Sequence, residues 1–590
     1  MNKIIGLITI ISASVALSSC NDMFRDQPND KLSEDIIWSN PMLVDEYVRP
    51  WYRHMDPGFY TYVTTLMAGL GTEYEPWYTD QLTVGKRDWY QGDYGNILRS
   101  YQQTITTRGR TRWTSYYSQI SSINRLLENE DKLPADMRQR VTGEAHFFRA
   151  WYYYLLLRNF GGPLIIDHTF DPLVNPEKFA RASYEETVSF IAKEADLAAS
   201  LLSVTNDADN AGRPTKGSAL MLKGKAYFWA AGEHFQNVEK AWLGYDTDRS
   251  AELLDSAYKA YTQVVDLGVY SLIPISSTTR DEVVAEYRNI FLTKNSQESI
   301  FEVQHADDGN FDTGNGHKLD RDASAPSFGA TTCAYNPTQN HVDEYRMDNG
   351  LPISDPASGY NKRDPFAGRD WRFYANILYD GAVWKGHTMD IKYLKEGSVE
   401  TPGEDLTPYG TSTTAATTRT GYYMAKFLRE SQVIDNDDTY ASSQNCILWR
   451  YAELLLDMAE IEYKKGDIQA ALNHINAIRS RVKMPEYTTI TWDDIFNERR
   501  IELAFEKTTY WDLLRYNIAE ERMTGTTTPL YCMKITQTAS GYRTYSTTGQ
   551  INGGTGTSVR YFRARQYFLP IAWDDVRYHG IEQNPEWAEM

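Results

Sequence analysis

The chain has 590 residues, of which 24% are charged and 42% hydrophobic, with a formal net charge of −19. This is a globular composition with ample core material, and its acidic balance argues against a nucleic-acid partner, which would need a basic face to neutralise phosphates. Aromatic residues reach 13%, including 42 Tyr and 15 Trp, a surplus that is hazardous as bare surface unless part of it serves as a binding platform.

Residues 1–19 read as a targeting segment and not as part of the fold. Lys3 supplies a short positive region, and Ile4 to Leu17 an apolar stretch too short to span a bilayer. The following Leu17-Ser18-Ser19-Cys20 resembles the bacterial lipoprotein signal, in which the cysteine is diacylglycerated and becomes the first residue. The resemblance implies a mature chain anchored to a membrane through Cys20, by acyl chains whose buried methylenes supply the affinity. No later segment reaches the roughly 18 uncharged apolar residues that a transmembrane helix needs. Cys333, Cys446 and Cys532 remain. They allow at most one internal disulfide, match no zinc spacing, and read as structural.

Residues 21–34 read as a polar tether, and 35–68, with Pro41 and Pro50, as short helices. Residues 69–96 differ, placing Tyr74, Trp77, Tyr78, Trp89, Tyr90 and Tyr94 among Gly, Pro, Asp and Glu with neither helical nor strand period. This is an aromatic-rich loop. Helix returns at 141–158, where Ala145, Phe148, Tyr152 and Leu155 line one face and Gly161-Gly162-Pro163 ends it. Ser183 and Glu186 form a capping-box pattern opening a helix to about Leu202. Residues 217–231 and 251–267 form a candidate hairpin stopped by Gly268. The stretch 275–445 is rich in Gly, Asp, Asn and Thr, and reads as an ordered insert with short strands around Trp371, Phe373, Tyr374, Tyr379 and Trp384.

Residues 447–482 read as two helices joined by a tight turn. Leu448, Ala452, Leu455 and Ala459 mark the apolar stripe of the first, and Ile468, Ala471, Leu472, Ile475 and Ile478 that of the second. Gly466 is placed to stop one and Asp467 to cap the other. Small residues (Ala452, Ala459, Ala470, Ala471) permit close approach, the design of a tetratricopeptide-like hairpin that buries its face by stacking on others. Helix continues over 492–517, and 525–590 is Thr/Gly-rich before it ends in YFLPIAWDDVRYHGIEQNPEW.

Six segments, in order, carry a family resemblance: GEAHFFRAWYYYLLLRNFGGPL at 143–164, GRPTKGSALMLKGKAYFWAA at 212–231, ILWRYAELLLDMAE at 447–460 with INAIRSR at 475–481, ERRIELAFE at 498–506, YWDLLRYN at 510–517, and LPIAWDD with QNPEW near the end. With CND after the signal, they make the chain similar, over essentially its whole length, to the SusD/RagB outer-membrane nutrient-binding lipoproteins of Bacteroidota. Departures stand at Lys507 and Thr509, where the family commonly has Gly and Arg, at Ala572 in place of a second Pro, and in the final Gln583-Asn584-Pro585-Glu586-Trp587. The resemblance implies a mainly α fold, with tetratricopeptide-like hairpins as scaffold, long irregular inserts and a few short strands, in one domain over 20–590. It implies a cell-surface, lipid-anchored protein that acts as the lid-like partner of a SusC-like, TonB-dependent barrel. The usual ligands are glycans, some relatives handle peptides, and neither cofactor nor catalysis belongs to the family.

The aromatic loop is the first candidate ligand wall. Sugar rings present flat C–H patches that Trp and Tyr faces match at little entropic cost. Trp77, Tyr78, Trp89 and Tyr90 are the candidate platform, with Glu73, Asp80, Arg87 and Asp88 as hydroxyl partners. The second wall is the insert at 305–345, with Phe311, His317, Phe328 and Tyr335. Asp307, Asp308, Asn310 and Asp312 superficially resemble a calcium loop but lack its sixth-position Gly and twelfth-position Glu in register, so no metal is expected. Glu498, Glu502 and Glu506 invite a glycosidase reading, yet interleaved arginines at helical spacing fit ion pairs better. Glu144 and His146 read as a hydrogen-bonded structural pair. No nucleophile elbow, zinc-protease helix, phosphate loop or dinucleotide fingerprint is present. The expected function is oligosaccharide capture for a transporter. A peptide-capturing lid is the alternative and a surface glycosidase a weaker one.

Overall fold

The computed structural model describes residues 34–55, 58–59, 75–83, 102–170, 179–306, 316–408, 417–434, 442–551 and 562–587. The fold is mainly helical, with short strands confined to the inserts and the C-terminal third. Helix α1 (Pro41–Arg53) opens as its sequence dictates, with Asn40 accepting from the N–H groups of Met42 and Leu43 and Pro41 in the first turn. Helix α2 (Gln102–Leu127) follows. Its Thr-rich, Gly-containing start hides it from propensity, but Trp113, Tyr116, Ile120, Ile123 and Leu126 recur at helical spacing and are all buried.

Helix α3 (Arg138–Phe160) ends at Gly161, whose φ of +77° an L side chain adopts only with strain. Its burial is not one-sided, since Trp151 through Leu157 are all in the core. The reason is tertiary, because α3 lies between α2 and α4 (Tyr184–Leu201) and also touches α5 (Lys216–Ala230). The capping box at Ser183 and Glu186 forms as expected. Helices α5 and α6 (Ser250–Asp266) make the next hairpin, and Gly268 follows α6 at φ +67°. Helix α7 (Arg280–Ile290) extends regular structure into the stretch read as irregular.

Strand β2 (Ser299–Val303) pairs antiparallel with β6 (Cys446–Arg450). The expected helical stripe therefore starts late, because Leu448 belongs to a strand and α8 runs Tyr451–Lys465. Gly466, at φ +84°, caps α8, and the Asp467 side chain accepts from the Ala470 N–H at the start of α9 (Ile468–Arg481). Ala452, Ala459 and Ala471 are fully buried, as close helix approach requires. Helix α8 also packs on α6 and on α10 (Trp492–Glu502), which joins the N-terminal and C-terminal hairpins into one array.

The expected helix over 492–517 is broken. Phe505 and Lys507 take φ values of +67° and +68°, and α11 (Thr508–Arg515) starts afresh. Lys507 thus holds a left-handed conformation that glycine would adopt without the Cβ penalty. The Thr-rich C-terminal part holds a further element, the hairpin of β7 (Tyr531–Thr538) and β8 (Arg543–Gln550). It joins β4 (Tyr393–Glu396) and β5 (Val399–Pro402) in a four-stranded sheet ordered β8-β7-β4-β5. No disulfide joins Cys333, Cys446 and Cys532 to one another, and no helix among the described residues is long and apolar enough to cross a membrane.

Helix α10 carries a buried network of ion pairs. Glu502 accepts from Arg450 at 2.9 Å, Arg481 at 2.6 Å and Arg372 at 3.1 Å. Glu498 is 2.7 Å from Arg479, and Glu298 bridges Arg450 and Arg481 at 2.8 and 2.7 Å. One helical turn away, Arg499 binds Asp457 at 2.6 Å and Asp512 at 2.7 Å, while Arg515 binds Glu460 at 2.6 Å. Desolvating such charges costs several kcal/mol each (roughly), offset only where each finds partners. Burial acts to raise the Glu502 carboxyl, but Arg481, Arg450 and Arg372 outweigh it and hold the group well below the usual carboxylate range. Burial brings the Lys426 ammonium down to about 8, although Glu506 lies 2.6 Å away.

Candidate functional site

Two segments far apart in sequence are joined at the candidate site. After the turn Glu75–Tyr78, β1 (Leu82–Thr83) pairs antiparallel with β3 (Asn336–Pro337), with Leu82 opposite Pro337 and Thr83 opposite Asn336. The Thr338 N–H donates to the Gln81 carbonyl at 3.0 Å, and the Thr338 hydroxyl to the Asp80 carbonyl. Residues 80–83 of the aromatic loop and 336–338 of the insert, read separately as parts of two ligand walls, are thereby held edge to edge.

Arg500 of α10 fixes both. Its Nη2 donates to Asp80 at 2.8 Å and its Nε to Glu344 at 2.6 Å, while Gln81 donates to the Arg500 carbonyl at 3.1 Å and accepts from Thr509 at 2.9 Å. Burial would lower the Arg500 guanidinium, but Asp80 and Glu344 more than compensate and raise it above its ordinary value. The Thr509 departure from the family pattern therefore has a structural use, since its hydroxyl anchors the base of the aromatic loop.

These contacts revise several sequence assignments. Tyr78 is 1% exposed and packs at 5.8 Å on Tyr510, so its ring is core and not platform. Tyr335 is fully buried, as is His317, whose imidazole burial pushes down to about 3 while it holds the Gln444 carbonyl at 2.9 Å. Asp80 is spent on Arg500 and unavailable to a sugar hydroxyl. Trp77 falls in the Glu75–Tyr78 turn, while Glu73, Arg87, Asp88, Trp89, Tyr90 and Phe311 lie outside the described residues, as do the calcium-like loop and the anchor candidate Cys20.

Phe328 is the candidate ring that stays half-buried. It ends the turn Pro326–Phe328, which Gly329 closes at φ +90°. Against it stands a hairpin, Val383–Trp384 paired with His387–Thr388. The two turn residues, Lys385 and Gly386, have φ values of +51° and +75°, a turn whose twist matches that of the strands. His387 meets Phe328 edge-on at 5.6 Å, and the Lys385 ammonium lies 5.6 Å from the same ring. Buried Asp405 holds the group together, accepting from the Ser327 hydroxyl, from His387 Nε2 at 3.0 Å and from the Asp390 N–H at 2.7 Å. Lys385 and His387 were missed from the sequence; the signal for them was the Lys385-Gly386 pair between Trp384 and His387. An apolar ring flanked by a cation and an imidazole can stack on a sugar and donate to its hydroxyls.

The carboxylates of the 498–506 run are bound to basic side chains, Glu498 and Glu502 to arginines and Glu506, which borders a cavity, to Arg450 and Lys426. Glu502 and Glu506 are both held below the ordinary range against the pull of burial, the reverse of what a general acid needs. Glu144 and His146 do not pair with each other; Glu144 binds Arg140 and Arg213, and His146 binds Glu194 at 2.8 Å. Among the described residues no group of three or more His, Cys, Asp or Glu side chains is placed to hold a metal ion.

Two family models match the chain, the SusD family over residues 297–587 and a model described as starch-binding associating with outer membrane over 59–228. A SusD-like protein of Bacteroides ovatus is 20% identical over 526 residues, covering 86% of this chain and 82% of that protein. A solved SusD-like protein from Bacteroides fragilis superposes with a TM-score of 0.71 at 23% identity, covering 95% of this chain and 100% of that one. A SusD-like carbohydrate binding protein from the same organism gives 0.66 at 21% identity, covering 91% and 98%. Matched by both models across most of its length and sharing the fold of these proteins, the chain belongs to the SusD/RagB family.

Proposed function

We propose that the protein captures oligosaccharides at the outer-membrane surface, to which Cys20 anchors it by lipid, and passes them to a SusC-like, TonB-dependent transporter. The observation that carries the ligand side of this reading is the β1–β3 pairing, which sets the described end of the aromatic loop, residues 75–83, beside the insert bearing Phe328, Lys385 and His387. The carbohydrate binding named for one structural relative supports the ligand class, and the outer-membrane description of the N-terminal family model supports the location. Modest affinity suffices if lid and barrel enclose the ligand together, because tethering raises effective concentration. In this reading the α8–α9 hairpin is frame and docking surface, and the family's role is binding without catalysis.

An affinity-gel screen against plant, host and microbial glycans, followed by calorimetry, tests the reading. Retention by one glycan class is expected, and Trp89→Ala should weaken it with the fold intact. Retention of peptides but no glycan would favour the peptide lid; turnover of a glycan would sink a binding-only role.

A further inference from the structure

A cavity of about 90 Å³ opens in the helical scaffold beside the base of the aromatic loop, lined among others by Trp151, Trp449, Trp511, Arg158 and Thr508. Its walls are indoles at close range, with Trp151 and Trp449 5.0 Å apart and Trp229 5.7 Å from Trp511. It adjoins the loop because Tyr510, next to Trp511, is the residue on which Tyr78 packs.

The charges around the cavity are almost all spent. Lys225 binds Glu453 and Asp457, Arg499 binds Asp457 and Asp512, Arg515 binds Glu460 and Asp512, and Glu506 is held by Arg450 and Lys426. Arg158 differs. Its guanidinium lies 4.1 Å from the Trp511 ring centroid and 4.7 Å from that of Tyr154, with no carboxylate partner among the described residues, and its Nε is buried without a hydrogen bond. The hydroxyl of Thr508, which also lines the cavity, is likewise buried and unpartnered. Buried donors left without acceptors cost stability, and here Arg158 Nε, the Thr508 hydroxyl and Trp229 Nε1 all belong to residues lining one cavity, the first carrying the positive charge that its neighbours have neutralised in themselves.

We propose that this cavity is a subsite for the anionic edge of an acidic saccharide, with Arg158 and Thr508 donating to its carboxylate or sulfate and the Trp511 and Trp449 side lining its apolar face. The inference rests on the glycan-binding reading and narrows it to a substrate class. The volume suits the charged edge of one sugar and not a whole residue, so the rest of the chain lies outside, toward the aromatic loop. Arginine is suited to this task because its planar fork stacks on indole while still donating to an anion.

The test compares carboxylated oligosaccharides (oligogalacturonides), sulfated oligosaccharides and neutral ones of similar length by affinity gel and calorimetry, on wild type, Arg158→Gln, Arg158→Lys and Thr508→Val. The wild type is expected to prefer an acidic class, with affinity falling as salt rises. Arg158→Gln should lose about tenfold in affinity for that class and most of the salt dependence, Arg158→Lys should recover part of both, and neutral ligands should be unaffected. Which acidic class responds identifies carboxylate or sulfate. Melting curves screen out unfolded variants, and Arg158→Lys, which keeps the charge and the stem, keeps the question answerable if Arg158→Gln fails to fold. Glycan binding with no acidic preference, or an acidic preference that survives Arg158→Gln, overturns this inference and leaves glycan capture standing. Retention of no glycan by the wild type overturns both.

Discussion

The α10 network and the Phe328 face solve opposite problems with similar residue types. Around α10, arginines and carboxylates are buried and paired with one another; Arg450 by itself reaches Glu298, Glu502 and Glu506. At the Phe328 face, Lys385 and His387 flank a half-buried ring and keep part of their surface open. The difference lies in the surroundings, since burial forces charges to pair, whereas Lys385, which donates to the Gln432 carbonyl, and His387, which binds Asp405, still keep surface open to a partner from outside.

This contrast can be broken or sharpened experimentally. The largest effect is expected from Glu502→Ala, which strips a partner from Arg372, Arg450 and Arg481 at once. It should cost about 3–5 kcal/mol by chemical denaturation, and a cost below 1 kcal/mol (roughly) would remove the network from the account of stability. Acid should act on the same groups. The Glu460, Glu502 and Glu506 carboxyls are depressed in the folded state, so the unfolded chain binds their protons first. Their contribution is complete above the unfolded glutamate value of about 4.3 and is lost as pH falls through the lower folded values. Denaturation midpoints should therefore hold from neutral pH to about 5, decline below about 4, and decline less steeply in Glu502→Gln.

Arg500→Gln tests the joint between frame and site, because it releases Asp80 and Glu344 together. A stability cost of about 2–3 kcal/mol is expected, with a loss of glycan retention larger than the change in melting would explain. Phe328→Ala should do the converse, lowering retention several-fold while costing about 1 kcal/mol or less, as its ring is only half buried. The smallest effect is expected from Lys507→Gly, which relieves a left-handed φ of +68° and should raise stability by about 0.5–1 kcal/mol.

Much of the frame was legible in local pattern. Ser183 with Glu186, Gly268, Gly466 and Asp467 act at helix ends because capping is set within a few residues. The arginines interleaved in ERRIELAFE announced ion pairs, though their partners, from Glu298 to Asp512, could not be read from one helix. Helix α2 and the β7–β8 hairpin were missed because Thr-rich sequence has weak local preference and is decided by what it packs on. The candidate site was less legible. Two segments were singled out as candidate ligand walls, but nothing in either says that Leu82 lies opposite Pro337.

What the sequence by itself determined about this protein is therefore its family, its helical class and the positions where helices begin and end, all of which rest on short-range geometry and ordered motifs. Only the tertiary structure decided which aromatics are core and which are surface. Tyr78 and Tyr335 resemble Phe328 in composition of context, yet two are buried, Tyr78 against the distant Tyr510, and one is not. It also decided that Arg158 alone, among the cations named at its cavity, has no carboxylate. Burial and charge pairing depend on non-local neighbours, and no local pattern carries that information.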